Sequence, residues 1–205
     1  MPPHGYGMTE PNVRGMIDAS VPALARDRQE HHLHLQSREA MEEYFSLCMI
    51  SNSATSEHLP TLRRLAGECW TVAELGTWHG DRAFAMMMGT PTRMICVDIE
   101  EPKYMPALVA AAEYYEINFE FRQTDTRTTE LPEVDMMFVD SLPTYEQVRD
   151  ELKAHIDKVK KYLVFHDVDT YFPIRQAIKE FADKDFDLVE QHHNSHGLWV
   201  MQRRI

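Results

Sequence analysis

The stretch TVAELGTWHGDRAFAMMM, residues 71–88, decides the fold. It opens with a short apolar run, 71–75, which Gly76 closes, and after a second glycine, Gly80, it continues into the helical stretch 84–88. Glycine lets the backbone turn sharply and approach a ligand closely. A buried strand, a tight turn and a helix in this order predict the start of an α/β sheet.

The same rhythm of strand, loop and helix repeats towards the C-terminus. Further strands are predicted over 93–97, 118–122, 134–139, 162–165, 186–191 and 197–201, with helices over 103–116, 145–159 and 174–181. Continuous apolar runs indicate that both faces of the sheet are covered, and the short loop between the last two strands requires antiparallel pairing. We therefore predict an α/β fold: a doubly wound, Rossmann-like, mostly parallel seven-stranded sheet with an antiparallel last strand.

The segment before the sheet has a different composition. Residues 1–35 contain four prolines and the tract His31-His32-Leu33-His34, and they predict a flexible N-terminal arm. Residues 36–70 predict a helical N-terminal segment, with helices over 37–50 and 57–69. The sheet occupies residues 71–205. The N-terminal segment is also a candidate contact for a homo-oligomer.

Composition and charge exclude several classes of protein. The chain has 205 residues, of which 43% are hydrophobic, so it can form an ordinary globular core. The 21 Lys and Arg against 33 Asp and Glu give a net charge of −12, which disfavours generic binding to nucleic acid or anionic membranes. No apolar run approaches the roughly 20 residues that a membrane span requires. Three scattered cysteines and no signal-peptide pattern predict a cytoplasmic protein.

Polar residues stand at the ends of four predicted parallel strands: Glu74, Asp98, Asp140 and the pair His166-Asp167. In an open α/β sheet, ligands bind outside the carboxyl ends of the strands. Any one of these acids could simply be a turn residue. Four polar strand ends at one edge are more than a core needs, so they predict a binding site there.

The turn after the first strand indicates the kind of ligand. Gly76 and Gly80 form GxxxG, whereas a dinucleotide fingerprint needs GxGxxG, and Glu74 adds negative charge where a pyrophosphate would lie. A nucleoside without phosphates, or one with a positive charge, suits this turn better than NAD. Asp98 follows Gly76 by 22 positions (98 − 76), close to the offset of about 20 at which an acid binds ribose hydroxyls. Asp125 is either a contact to an adenine amine or a turn residue.

The ordered series Glu74-x-Gly76-x-x-x-Gly80, Asp98 and 134–140 resembles the motifs of class I S-adenosylmethionine-dependent methyltransferases, over about residues 57–203. The segments DSLPTYE, from residue 140, and VFHDV, from residue 164, are similar to a subgroup that includes macrolide-sugar O-methyltransferases and proteins labelled cephalosporin hydroxylases. The resemblance implies that 71–205 is an S-adenosylmethionine-binding methyltransferase domain. The candidate cofactor-binding residues are Glu74, Gly76, Thr77, Trp78, Gly80, Asp98, Ile99, Asp125 and Asp140.

The resemblance also implies a metal site. In metal-dependent relatives the acids after the fourth and fifth strands hold Mg²⁺, and here these are Asp140 and Asp167, with His166 where some relatives have Glu. Two carboxylates from adjacent strand ends can converge on a hard cation, which would lower the pKa of a substrate hydroxyl. Because histidine softens the donor set, Mn²⁺ or Fe²⁺ is an alternative to Mg²⁺.

One departure from the family pattern concerns the general base. Relatives commonly carry Asp-Gly-x-His after the fourth strand, whereas this chain has Ser141 in place of the glycine and Pro143 in place of the histidine. His166 or His79 could substitute, because histidine titrates near neutral pH. We take His166 and Asp140 as the candidate catalytic residues.

The sequence leaves three functions open. The first is methyl transfer from S-adenosylmethionine to an oxygen, or less readily a nitrogen, of a small-molecule acceptor. The second is a catalytically inactive module that binds S-adenosylmethionine, which the missing histidine favours. The third is a metal-dependent hydroxylase, which needs two histidines and a carboxylate around iron, and the sequence places no second histidine at a neighbouring strand end.

Overall fold

The computed structural model describes residues 35–50 and 54–205. The flexible arm predicted over 1–35, with its histidine tract, lies outside the described residues except for Leu35, which is buried. Within the described residues, no helix combines the length and the apolar character needed to cross a membrane.

The N-terminal segment forms helices that pack on the sheet domain. Helix α1 spans Arg38–Met49 and begins at Ser37, whose hydroxyl accepts a hydrogen bond from the Ala40 N–H. Helix α2 spans Leu59–Ala66 after a single 3₁₀ turn, Ser56–His58. Both helices lie within the stretches that were predicted to be helical. They bury an apolar stripe against the domain, including Tyr44, whose ring centroid lies 4.6 Å from that of Phe84.

The domain alternates strands and helices. Its strands are β1 (Thr71–Leu75), β2 (Arg93–Asp98), β3 (Asn118–Gln123), β4 (Val134–Val139), β5 (Val159–His166), β6 (Phe186–His192) and β7 (Leu198–Arg203). Its helices are α3 (Asp81–Met87), α4 (Met105–Tyr114), α5 (Tyr145–His155) and α6 (Phe172–Phe181).

The strands form one seven-stranded sheet in the order β3-β2-β1-β4-β5-β7-β6. Strand β7 pairs antiparallel with both β5 and β6, and every other pair is parallel. The predicted fold class is therefore confirmed, including the single reversed strand. The chain runs outward from β1 to β3 and then returns to β4 beside β1, which creates the switch point where α/β sheets bind ligands.

Apolar side chains cover both faces of the sheet, as the continuous apolar runs predicted. One layer packs Val72 and Met136 against α1, α2, α3 and α4. The other packs Leu75 and Phe165 against α5 and α6. Burial on both faces fixes the central strands, so their polar ends project at a common edge.

The predicted helix over 145–159 is too long. Helix α5 ends at His155, a 3₁₀ turn covers Ile156–Lys158, and β5 begins at Val159, three residues before the predicted start at residue 162. Ile156 and Val159 are both buried, and their spacing continues the helical period of α5. Ile156 in the buried turn and Val159 in the strand therefore have the apolar spacing of one more helical turn, and this is why the predicted helix was too long.

Candidate active site

The carboxyl ends of β1, β4 and β5 lie side by side. Leu75 pairs with Val139, and Val139 pairs with Phe165, so the residues that follow these positions are neighbours. The Asp140 N–H donates to the Leu75 carbonyl at 2.9 Å, which brings the end of β4 directly against the turn after β1.

Gly76 makes this close approach possible. Its φ is +90°, and a Cβ atom at this position would overlap the Asp140 carbonyl and lie 2.7 Å from the Ser141 nitrogen. Gly80, with φ +98°, precedes α3, and a Cβ there would meet the Leu108 side chain at 3.2 Å. The two predicted glycines are thus required for different reasons, one by contact with backbone and both by their left-handed conformation.

Asp98 lies at the same turn, as the sequence predicted. One carboxylate oxygen accepts a hydrogen bond from the Trp78 N–H at 2.8 Å, and the other accepts from the Glu100 N–H at 3.2 Å. Thr77 is buried, whereas the side chains of Trp78 and Ile99 are exposed beside the carboxylate. The apolar surface of Trp78 and Ile99 is available to cover a ligand held by Asp98.

Asp125 lies one strand farther along the edge, in the loop after β3. Its carboxylate forms a two-point ion pair with the Arg127 guanidinium, with N–O distances of 3.0 and 2.6 Å. Hydrogen bonds from Arg127 lower the pKa of Asp125 to about 2. Asp125 is thus a fixed negative charge at the far end of the candidate cofactor surface.

Glu74 lies beneath the glycine turn with no exposed surface. Burial raises the pKa of its carboxyl to about 7, and the Arg82 guanidinium, 3.7 Å away, offsets only part of that effect. Glu74 therefore supports the turn from inside the fold, and any influence it has on a ligand acts through the turn and the local charge.

Arg82 is a central residue of the site that the sequence reasoning missed. It lies in the first turn of α3, is buried, and pairs with Asp140 through Nε and Oδ2 at 2.9 Å. Its Nη2 donates to the Gly76 carbonyl at 3.3 Å, and its Nη1 donates to the Thr55 hydroxyl at 3.4 Å. The guanidinium thus connects the glycine turn, the end of β4 and the N-terminal segment.

Asp140, His166 and Asp167 converge, as the sequence predicted. His166 Nδ1 lies 3.1 Å from Asp140 Oδ1 and 3.2 Å from Asp167 Oδ1, and His166 Nε2 lies 2.8 Å from the Ser195 carbonyl oxygen. Burial opposes a charge on His166, but the carboxylates of Asp140 and Asp167 outweigh it and raise the pKa of His166 to about 10. This environment favours a role as a cation or a metal ligand over a role as general base.

This cluster fits a divalent cation. One ligand atom from each of Asp140, His166 and Asp167 lies within 4.8 Å of the others. The two separations from His166 Nδ1 are close to the roughly 3 Å between adjacent ligands of an octahedral ion with bonds of about 2.1 Å. The bond from His166 Nε2 to the Ser195 carbonyl is of the kind that orients a metal-bound imidazole. Two carboxylates and one imidazole suit Mg²⁺ or Mn²⁺.

The other histidines near the site do not join this donor set. His79, the alternative base, stacks on Trp78 with ring centroids 3.7 Å apart, so it belongs to the glycine turn. His58 and His196 have ring centroids 5.5 and 6.3 Å from that of His166. Among the described residues, only Asp140, His166 and Asp167 converge, so the structure supplies no set of two histidines and one carboxylate for the hydroxylase hypothesis.

Comparison with known proteins supports the resemblance found in the sequence. Residues 73–168 match the family model described as a methyltransferase domain. This match, over a little less than half of the chain, supports the resemblance to class I S-adenosylmethionine-dependent methyltransferases. The matched range runs from within β1 to just beyond the end of β5 and contains all of the candidate cofactor and metal residues.

Solved structures of methyltransferases share the fold of this chain. An O-methyltransferase from Bacillus cereus, in complex with S-adenosylhomocysteine, is 14% identical with a TM-score of 0.54, and the alignment covers 94% of each chain. The O-methyltransferase TomG from Streptomyces achromogenes, bound to S-adenosylmethionine, is 14% identical with a TM-score of 0.55, covering 92% of this chain and 91% of TomG. A methyltransferase from Podospora anserina, bound to S-adenosylhomocysteine, is 14% identical with a TM-score of 0.54, covering 92% and 89%. The chain matches none of the curated protein sequences.

Arg82 joins the glycine turn to Asp140, the candidate catalytic acid. Burial opposes ionisation of Asp140, but Arg82 and His166 outweigh it and hold the pKa of Asp140 below its usual value. The signal that could have revealed Arg82 was the cluster of acids itself, because buried carboxylates at one edge require a cation. Sequence position alone gave no such signal, since arginine in a helix usually faces solvent.

Proposed function

We propose that the protein methylates an oxygen of a small-molecule acceptor, with S-adenosylmethionine as the methyl donor. One observation carries this proposal: the cluster of Asp140, His166 and Asp167 adjoins the glycine turn, with the Gly76 backbone against that of Asp140. A methyl donor lying over the turn would therefore be next to the cluster. The O-methyltransferases from Bacillus cereus and Streptomyces achromogenes, which share the fold, support the choice of oxygen.

Each group has a defined part in the proposed reaction. Gly76, Thr77, Trp78 and Gly80 form the methionine side of the cofactor site, and Glu74 supports them from beneath the turn. Asp98 accepts hydrogen bonds from the ribose, with Ile99 and Asp125 on the base side. Holding donor and acceptor in line converts a bimolecular displacement into an effectively unimolecular one. Asp167 is the most exposed member of the cluster, with 17% of its side-chain surface accessible, so an acceptor hydroxyl reaches its carboxylate first.

Asp140, His166 and Asp167 would also hold Mg²⁺ or Mn²⁺. Such an ion lowers the pKa of an acceptor hydroxyl and so supplies a stronger nucleophile. The chain's own contribution is to orient the three ligand atoms, through Arg82 on Asp140 and the Ser195 carbonyl on His166. We further propose a cytoplasmic location, because all three cysteines are buried free thiols.

A specific observation favours a second candidate function. Pro143 stands where relatives carry the candidate base, and the carboxylates around His166 keep that imidazole protonated at neutral pH. Both facts suit a module that binds S-adenosylmethionine and transfers nothing. This alternative shares the cofactor site and differs only in the absence of turnover.

The substitution Asp140→Asn tests the proposal. Asparagine keeps the shape beside Arg82 but removes the charge, so we expect the affinity for S-adenosylhomocysteine to change by less than about threefold while turnover falls by about 100-fold or more. Calorimetric titration with S-adenosylhomocysteine, with and without Mg²⁺ or Mn²⁺, measures the first quantity. Methyl transfer to a panel of small hydroxyl compounds measures the second.

The matched control is Asp150→Asn, because Asp150 is a surface carboxylate on α5 paired with Arg149. It should leave both quantities unchanged. Loss of S-adenosylhomocysteine binding in Asp140→Asn would contradict the role assigned to Asp140. Tight binding by the wild type without transfer to any acceptor would favour the inactive module.

A further inference from the structure

A buried polar stripe runs along one face of α5. Gln147, Glu151 and His155 are spaced by four residues, so they project from the same side of the helix. Glu151 and His155 are fully buried, and Gln147 is half-buried. The proposed reaction uses none of these side chains.

All three side chains contact one residue, Thr126, in the loop after β3. The Thr126 hydroxyl donates to Glu151 Oε1 at 2.5 Å, and Gln147 Nε2 lies 2.9 Å from the same hydroxyl and donates to Glu151 Oε1 at 2.8 Å. His155 Nε2 donates to the Thr126 carbonyl oxygen at 2.7 Å. Helix α5 therefore holds both the side chain and the backbone of Thr126.

Burying these polar side chains costs desolvation free energy that apolar side chains in the same positions would not cost. Burial raises the pKa of Glu151, against the hydrogen bonds from Ser141, Thr126 and Gln147. Burial likewise lowers the pKa of His155. Buried polar groups of this kind are often no more stabilising than well-packed apolar ones, but when satisfied they specify one geometry. The geometry specified here is the position of the loop relative to α5.

That loop carries Asp125 directly before Thr126. The loop is also closed on itself, because the Arg127 N–H donates to Asp125 Oδ1 at 2.9 Å and the Thr128 N–H donates to the Asp125 carbonyl at 3.1 Å. A shift of Thr126 would therefore move Asp125 as part of the same unit. Asp125 lies one strand beyond Asp98, on the side where the base of a nucleoside held by Asp98 would extend.

We propose that Gln147, Glu151 and His155 are positioning residues that fix the loop after β3 and thereby set the recognition of the cofactor's base. The inference rests on the proposed function, since it needs S-adenosylmethionine at the glycine turn. A carboxylate at Asp125 accepts a hydrogen bond from the 6-amino group of adenine and repels the 6-oxo group of hypoxanthine. If the loop is placed correctly, the protein should therefore bind a ligand with adenine more tightly than the same ligand with hypoxanthine.

The substitution Thr126→Val removes the hydroxyl and keeps the shape. The probes are S-adenosylhomocysteine and S-inosylhomocysteine, titrated by calorimetry into the full chain. We expect the affinity for the adenosyl ligand to fall about tenfold, because the displaced Asp125 would lose its hydrogen bond to the 6-amino group of adenine and one buried hydrogen bond is worth about this much. The affinity for the inosyl ligand should change by less than about twofold. The ratio of the two affinities, which measures the preference for adenine, should therefore fall. Thr126→Ser, which restores a hydroxyl, should behave like the wild type.

Two further variants keep the test decisive. Thr92→Val changes an exposed threonine at the opposite edge of the sheet and should alter neither affinity. Gln147→Met removes a donor from a half-buried position, so it tests the same network even where Thr126→Val fails to fold, and it should narrow the preference in the same direction.

The possible outcomes separate the two proposals. Wild-type protein that binds neither ligand overturns the proposed function and this inference with it. Wild-type protein that binds both ligands equally, or variants that keep the wild-type preference or weaken both ligands by the same factor, overturn the inference and leave the proposed function standing.

Discussion

Burial strongly alters the ionisation of Glu74. Its carboxyl ionises near pH 4.5 in an unfolded chain, and burial raises this pKa to about 7 in the folded protein. The stabilisation from the bound proton is fully present below about pH 4.5 and is lost as the pH rises through 7. Glu74→Gln has no such proton to lose. Relative to the wild type, we expect this variant to gain roughly 3 kcal/mol of unfolding free energy between pH 4.5 and 8.

Urea unfolding at several pH values measures this difference. Glu113→Gln is the control, because Glu113 is an exposed residue of α4. Its substitution should change the unfolding free energy by the same amount at pH 4.5 and at pH 8. Parallel stability curves for the wild type and Glu74→Gln would show that Glu74 ionises normally in the fold, against this account.

Individual site residues were predictable only where the chain topology determines their position. The proximity of Asp140 and His166 could be predicted from the sequence, because parallel strands end at one edge of the sheet and both residues follow an apolar run. Arg82 could not, because its place depends on a long side chain that turns inward from α3. The contact of Thr55 with Arg82 likewise depends on how the N-terminal segment packs, which no local pattern specifies.

The turn between β1 and α3 is the element most sensitive to substitution. Gly76→Ala forces a side chain into the Asp140 backbone and strains a positive φ, so the ends of β1 and β4 must separate. Gly80→Ala carries the same conformational strain of about 1–2 kcal/mol, but its methyl group meets only the side chain of Leu108 and no backbone atom. We expect Gly76→Ala to lower the melting temperature by at least twice as much as Gly80→Ala and to abolish S-adenosylhomocysteine binding.

Thermal unfolding with and without S-adenosylhomocysteine compares the two variants directly. Since both carry a left-handed backbone, each serves as the control for the other. Equal losses of stability would mean that the backbone contact at Gly76 has no special weight.

The positions of the strands could be predicted from their buried apolar runs, whereas the ends of the helices could not. The central strands are buried on both faces, so their apolar runs are continuous and easily recognised. The edge strand β6 exposes Leu188 and Val189, and its antiparallel pairing with β7 was predicted from the short loop between the two strands. The end of α5 was missed because the buried residues of the following turn and strand keep the helical spacing.

For the whole molecule, the parallel pairing and the single reversed strand were predicted from connection lengths, which limit how strands can pair, whereas the order of the strands was not predicted. An acceptor pocket was not predicted, because binding pockets are built largely by loops, which have no fixed sequence pattern. One global property, the net charge of −12, does bear on the ligand. It favours a cationic cofactor over its neutral product before any contact forms.

S-adenosylmethionine carries a sulfonium charge that S-adenosylhomocysteine lacks, so the two ligands report on the field of the protein. The Debye length falls from about 10 Å at 0.1 M salt to about 3 Å at 1 M, which screens the distant carboxylates. Raising NaCl from 0.1 to 1 M should therefore weaken the binding of S-adenosylmethionine by about two- to fivefold more than that of S-adenosylhomocysteine. Competition calorimetry at both salt concentrations measures the ratio, and adenosine serves as the uncharged control. A ratio that does not change with salt would mean that only the groups in contact with the sulfonium discriminate between the two ligands.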